Sequence, residues 1–135
     1  MPQDRISGRA ANQWGHEMAK WVAQYLGTAL LSDFSNEAFL GDERIVIKSA
    51  HQRTPQIGLS QATLARVQKI IAVLENPDNS YTIYKLNPTW YRSHMAPSRS
   101  ERPSTEKVMM VQCKLVREEG HVMRIIPQDS VGGGI

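Results

Sequence analysis

Arg44-Ile45-Val46-Ile47-Lys48-Ser49-Ala50 is the stretch on which the fold of this chain turns. Its β-branched residues favour a pleated strand. Three consecutive apolar side chains, Ile45 to Ile47, point alternately to both faces, so the strand is expected to be central and covered on both sides. Upstream, Gly41-Asp42 reads as a turn, which leaves two readings, a lone strand or one arm of a hairpin. Downstream, His51 to Gly58 reads as a loop punctuated by Pro55 and Gly58.

Working outward, Trp14, Met18, Trp21, Val22, Tyr25 and Leu26 recur at three- and four-residue steps, which predicts a helix over 12–26 with Asn12 as N-cap and Gly27 as stop. Residues 1–11 show no periodicity and are expected to be a flexible lead-in. Leu64, Val67, Ile71 and Leu74 repeat at the same helical steps behind Ser60, predicting a second helix over 60–75. Residues 81–86 read as a strand and 92–106 as a long loop. Residues 107–117 read as a long strand carrying Met109, Val111, Cys113 and Leu115 on one face. This strand is expected to turn at Glu118-Glu119-Gly120 and pair with 121–126 as a hairpin. The expectation is a single α/β (α+β) domain over 12–127, a mixed sheet flanked by two helices, followed by a flexible tail at 128–135.

Composition narrows the function classes. Of 135 residues, 41% are hydrophobic and 21% charged, which excludes a disordered chain. No apolar run approaches the ~20 residues of a membrane span, and no apolar segment follows the first charges as a secretory signal requires. The lone Cys113 excludes an intrachain disulfide and a cysteine zinc cluster, and points to a reducing cytoplasm. Sixteen Lys and Arg against 13 Asp and Glu permit a nucleic-acid partner without requiring one. Signatures for a phosphate-binding glycine loop, a nucleophile elbow, a zinc protease or a dinucleotide fold are missing. His16, His51, His94 and His121 lack metal-ligand spacing, and His16 reads as a surface histidine.

The chemistry is expected between Asn36 and His51, where Glu37, Asp42 and Glu43 precede a strand that ends in Lys48. A lysine there is placed to meet a phosphate or orient a water, and two carboxylates nearby could hold Mg2+ against a phosphodiester. The competing reading is a turn aspartate and a solvated lysine. A helix carrying Glu17, an acid before a strand, the strand-end Lys48 and a following helix with Gln61 and Gln68 together resemble the restriction-endonuclease-like, PD-(D/E)xK superfamily over residues 12–86. That resemblance implies a metal-dependent nuclease, with Asp42 (or Asp33), Glu17 and Glu37 as candidate metal ligands and Lys48 activating water. The position two before Lys48, an acid in that family, is Val46 here, so a domain that binds nucleic acid without cutting it is equally implied.

Basic residues on expected loops add a binding surface for DNA or RNA: Lys48, Arg53, Arg92, Arg99 and Arg102 for phosphates and Trp90 for a base. The alternative is a noncatalytic module that binds a protein or a second copy of itself. Met95, Met109, Met110 and Met123 offer an adaptable surface for that, and the strand 107–117 an edge for a homodimer.

Overall fold

A computed structural model describes residues 2–98 and 107–127, with side chains from Gln13 onward. The Arg44–Ala50 run lies within a strand, and it is central. Strand β1 (Glu37–Leu40) turns through Gly41 (φ +63°) into β2 (Glu43–Ala50), pairing Glu37 with Val46 and Leu40 with Glu43. On its other side β2 runs parallel to a strand that the helical periodicity of 60–75 concealed. Helix 60–75 is corrected to a short helix and a strand. Strand β3 (Gln56–Ser60), in the stretch expected to be mostly loop, leads into α2 (Gln61–Arg66), and β4 covers Lys69–Glu75.

The physical reason lies in the sequence of β4. Ile70 to Leu74 are five successive apolar residues, all buried, as a strand sandwiched between two layers requires. Ser60 does cap α2, its Oγ accepting from the Thr63 N–H at 3.1 Å. The helix then stops because Val67 is extended, and the chain is captured by β2. The Gln68 N–H donates to the Arg44 carbonyl at 2.8 Å, and the Arg44 N–H donates to Gln68 Oε1 at 2.6 Å.

The main sheet has five strands in the order β1-β2-β4-β5-β8, with β5 at Tyr81–Leu86 and β8 at His121–Ile126. Every neighbouring pair except β2/β4 is antiparallel, so the sheet is mixed. Between β5 and β8 the chain forms α3 (Pro88–His94), β6 (Ala96–Pro97), β7 (Val108–Gln112) and α4 (Cys113–Glu119). The expected strand 107–117 is thus corrected: only 108–112 is extended, and it joins a separate three-stranded sheet, β3-β7-β6. From Cys113 the buried positions fall at Cys113 and Val116, three apart, which is helical spacing. Nor do 107–117 and 121–126 form a hairpin, because β8 pairs with β5. The N-terminal half of the expected loop 92–106 holds the end of α3 and β6, while 99–106 and 128–135 lie outside the described residues.

Alternation along β2, β4 and β5 divides the core into two. Met18, Ala19, Val22 and Ala23 pack on Ile45, Ile47, Ile71, Val73 and Ile83. Helix α1 runs Pro2–Tyr25, so it takes in the residues expected as a lead-in, and Asn12 lies inside it. On the opposite face Val46, Ile70, Ala72 and Tyr84 meet the small sheet and helices α2 to α4. Tyr91 of α3 is fully buried there, donating its hydroxyl to the Met109 carbonyl at 2.6 Å. The result is a three-layer α+β arrangement, and among the described residues no helix is long and apolar enough to cross a membrane.

Candidate functional site

The second face does not close at the β1–β2 edge. Alternation places Arg44, Val46 and Lys48 on the side of β2 that looks toward the small sheet, and the register brings Glu37 beside Val46. An open groove of about 930 Å3 runs there, walled by Gln13 and His16 of α1, the Asp33–Asn36 loop, and Ser60, Thr63 and Arg66 around α2. Its floor is Val46, Gly58, Leu59 and Met110. Gly58 keeps that floor close-packed: a Cβ would meet Val108 Cγ1 at 2.5 Å and Met110 Sδ at 2.8 Å, and those side chains would have to shift. A second cavity of about 230 Å3, lined by Trp14, Ser49, His51 and Thr54, shares Asn36 and Lys48 with the groove, so Lys48 stands where the two meet.

Glu37 organises the charges. Only 6% exposed, its carboxylate accepts from Arg44 Nε at 2.8 Å, Arg66 Nε at 2.9 Å and Arg66 Nη2 at 2.5 Å. The Arg66 hydrogen bonds hold this carboxyl below the usual range, against burial, and Arg44 adds to the effect. Both oxygens are therefore engaged. Among the described residues Arg44 hydrogen-bonds Glu37 through Nε alone, and its guanidinium lies 5.9 Å from the Phe39 ring. Lys48 is half-buried in the groove, and among the described residues its amine has no hydrogen-bond or ion-pair partner. Burial pushes its pKa down. Beside it Ser49 Oγ is buried with no partner among the described residues, and His16 Nδ1 lies 3.3 Å from Asn36 Oδ1. An ammonium held out of bulk water with no partner gains from any anion that enters.

The structure gathers some of the expected site residues and scatters others. Lys48 and Glu37 share the groove, and Asp33 lines it. Asp42 sits in the β1–β2 turn, some six residues before Lys48 and so about 20 Å along the strand. Glu17 is exposed on α1, accepting from Gln13 Nε2 at 3.3 Å. Asp42, Glu17 and Glu37 do not converge, and among the described residues no three His, Cys, Asp or Glu side chains are grouped to hold a metal. The Glu37 oxygens are taken by arginines, and Val46 stands between Arg44 and Lys48 on that face of β2.

The expected loop cations also divide. Ala50, at the end of β2, sits beside Leu74, whereas Leu86, at the end of β5, sits beside Ile70. Arg53 follows the first and Arg92 the second, so they belong to opposite ends of the sheet. Arg92 Nη2 donates to the Leu64 carbonyl at 2.9 Å. The Trp90 ring packs on the core and stacks on His94 at 4.6 Å, and its Nε1 donates to Glu119 at 3.0 Å, which leaves little of it for a base. Arg99 and Arg102 lie outside the described residues. Sequence reasoning missed Arg44, Arg66 and Phe34, and it read His16 as a plain surface residue. Alternation from Lys48 back to Arg44 was the signal for Arg44; Arg66 and Phe34 had none.

Comparison of the chain with family models, with curated proteins and with solved structures finds no match.

Proposed function

We propose that this domain binds nucleic acid by its phosphate backbone in the groove at Lys48, without cutting it. The observation that carries the reading is the half-buried Lys48 amine, unpartnered among the described residues, in a groove that Arg44 also lines and beside the second cavity. A phosphate oxygen there would satisfy the amine and approach Arg44 without displacing Glu37. The restriction-endonuclease-like resemblance frames the same reading: the strand-end lysine is kept, and the acid two residues before it is Val46. On this reading the domain binds DNA or RNA without a grouped carboxylate set for Mg2+. Cys113 is a free, buried thiol, which fits a reducing compartment such as the cytoplasm.

The test is a titration of labelled single-stranded DNA, duplex DNA and RNA, with and without Mg2+ or Mn2+, scored for both binding and cleavage. Salt-sensitive binding with intact substrate is the expected outcome. Metal-dependent cleavage lost in Lys48→Ala overturns the noncleaving part, and no binding at low salt overturns the whole.

One observation favours a second reading, association with a protein or another copy. The homodimer edge expected at 107–117 is corrected, because β7 has β3 on one side and β6 on the other at Met109 and Met110. Of the two edge strands of the five-stranded sheet, β1 and β8, it is β8 that carries Val122 and Ile125, 49% and 61% exposed. Concentration-dependent sedimentation that Ile125→Lys abolishes would support that reading.

A further inference from the structure

We infer that the groove takes a single strand rather than a duplex, with a base stacked on Phe34 while a backbone phosphate meets Lys48. The inference rests on the proposed binding reading and deepens it. Phe34 is 98% exposed, yet it lies on the wall of the same groove as Lys48. An aromatic ring left this bare forgoes the burial that ordinarily places phenylalanine in a core.

Its loop is not loosely held. The Leu31 N–H donates to the Glu37 carbonyl at 2.8 Å, and the Ile47 N–H donates to the Asn36 carbonyl at 2.9 Å. Between these anchors, the Phe34 N–H donates to Ser32 Oγ at 3.3 Å and the Glu37 N–H to Ser35 Oγ at 2.9 Å. The backbone is tied to β1 and β2 while the ring projects.

The groove also combines two chemistries that a duplex does not present together. Val46, Leu59, Val108 and Met110 make an apolar floor, and Lys48 with Arg44 make a cationic wall. In a duplex the base faces are hidden in the stack, and a protein meets phosphates, sugars and base edges but no bare base face. A single strand offers a bare base face and a phosphate in adjacent positions, the pairing that aromatic platforms in charged grooves exploit. At about 930 Å3 the groove falls within the size of small-ligand pockets (about 300–1,000 Å3), enough for a splayed nucleotide.

The experiment measures the affinity of the full chain for a single-stranded oligonucleotide and for the same sequence as a duplex, in wild type, Phe34→Ala and Phe34→Trp. Because Phe34 is exposed, circular dichroism should show both variants folded. The expected result is tighter binding of the single strand, a loss of about tenfold in Phe34→Ala and retention in Phe34→Trp, with duplex affinity untouched by either change. Equal affinity for strand and duplex, or an unchanged single-strand affinity in Phe34→Ala, overturns this inference and leaves the binding reading standing. No affinity for either form overturns the binding reading itself, and this inference with it.

Discussion

The two faces of the five-stranded sheet are built from the same strands and do opposite things. On one face, Ile45, Ile47, Ile71, Val73 and Ile83 meet Met18 and Val22 of α1 in a buried apolar cluster. On the other, β2 alone presents Arg44, Val46 and Lys48, and Glu37 is drawn in from β1. One residue of register separates Ile47 from Lys48, yet that single step moves from a dry interface to a cationic groove. The first face holds the domain together. The second spends some of that stability on an unpaired amine.

The sharpest way to break this division is to damage the dry face. Ile71 is fully buried on the central strand β4, so Ile71→Ala should cost about 2–5 kcal/mol in denaturant unfolding. Nucleic-acid affinity of the folded protein should not change. A large affinity loss at temperatures where the variant remains folded would show that the two faces are not separable.

A smaller effect is expected at Glu37. Glu37→Gln removes the charge that holds Arg44 and Arg66 and should cost about 1–3 kcal/mol. The sign with pH follows from its lowered folded pKa. Its contribution is fully present above the ordinary glutamate pKa and is lost as pH falls through the lowered folded value. The wild type should therefore lose stability on the acid side more steeply than Glu37→Gln. Parallel acid limbs for the two proteins would contradict the arginine clamp.

The smallest effect concerns Lys48 and appears in alkali. Its folded pKa is below its unfolded one, so folding disfavours the ammonium: the cost applies at low pH and fades as pH rises through the lowered value. Lys48→Met should leave stability unchanged or raise it slightly near neutrality. Binding carried by this charge should weaken on the alkaline side at a lower pH than an ordinary surface lysine would give. In Lys48→Arg, which stays charged, that alkaline loss should disappear. Identical alkaline profiles for wild type and Lys48→Arg would remove Lys48 from the contact.

How much of this was readable in advance depends on whether a segment's partners are local. The strands at 81–86 and 121–126, and the central strand through 44–50, declare themselves by β-branched residues and alternation, and the stripe of α1 by Met18 and Val22. Residues 60–75 do not, because Leu64, Val67, Ile71 and Leu74 satisfy a helical period by accident within a run where Ile70, Ala72 and Val73 are buried as well. Burial on both faces erases the period-two signal that would have exposed the strand. The same holds at 107–117: alternation through Met109 and Val111 is real, and the turn into α4 depends on Cys113 docking its N–H on the Pro55 carbonyl at 2.8 Å, far away in sequence. For the groove, Lys48 and Glu37 were visible as residue types. Their surroundings were not, since Arg66 reaches Glu37 from a helix whose end is set by β2, and Phe34 takes its meaning from a groove wall that only the fold creates.

The most direct measurement compares the salt dependence of oligonucleotide affinity in wild type and Lys48→Ala, both verified as folded. If Lys48 meets a phosphate, the slope of log affinity against log salt should shrink by about 0.7, the value of one contact on a single strand, and affinity at low salt should fall with it. An unchanged slope and an unchanged affinity would contradict the groove as the binding site.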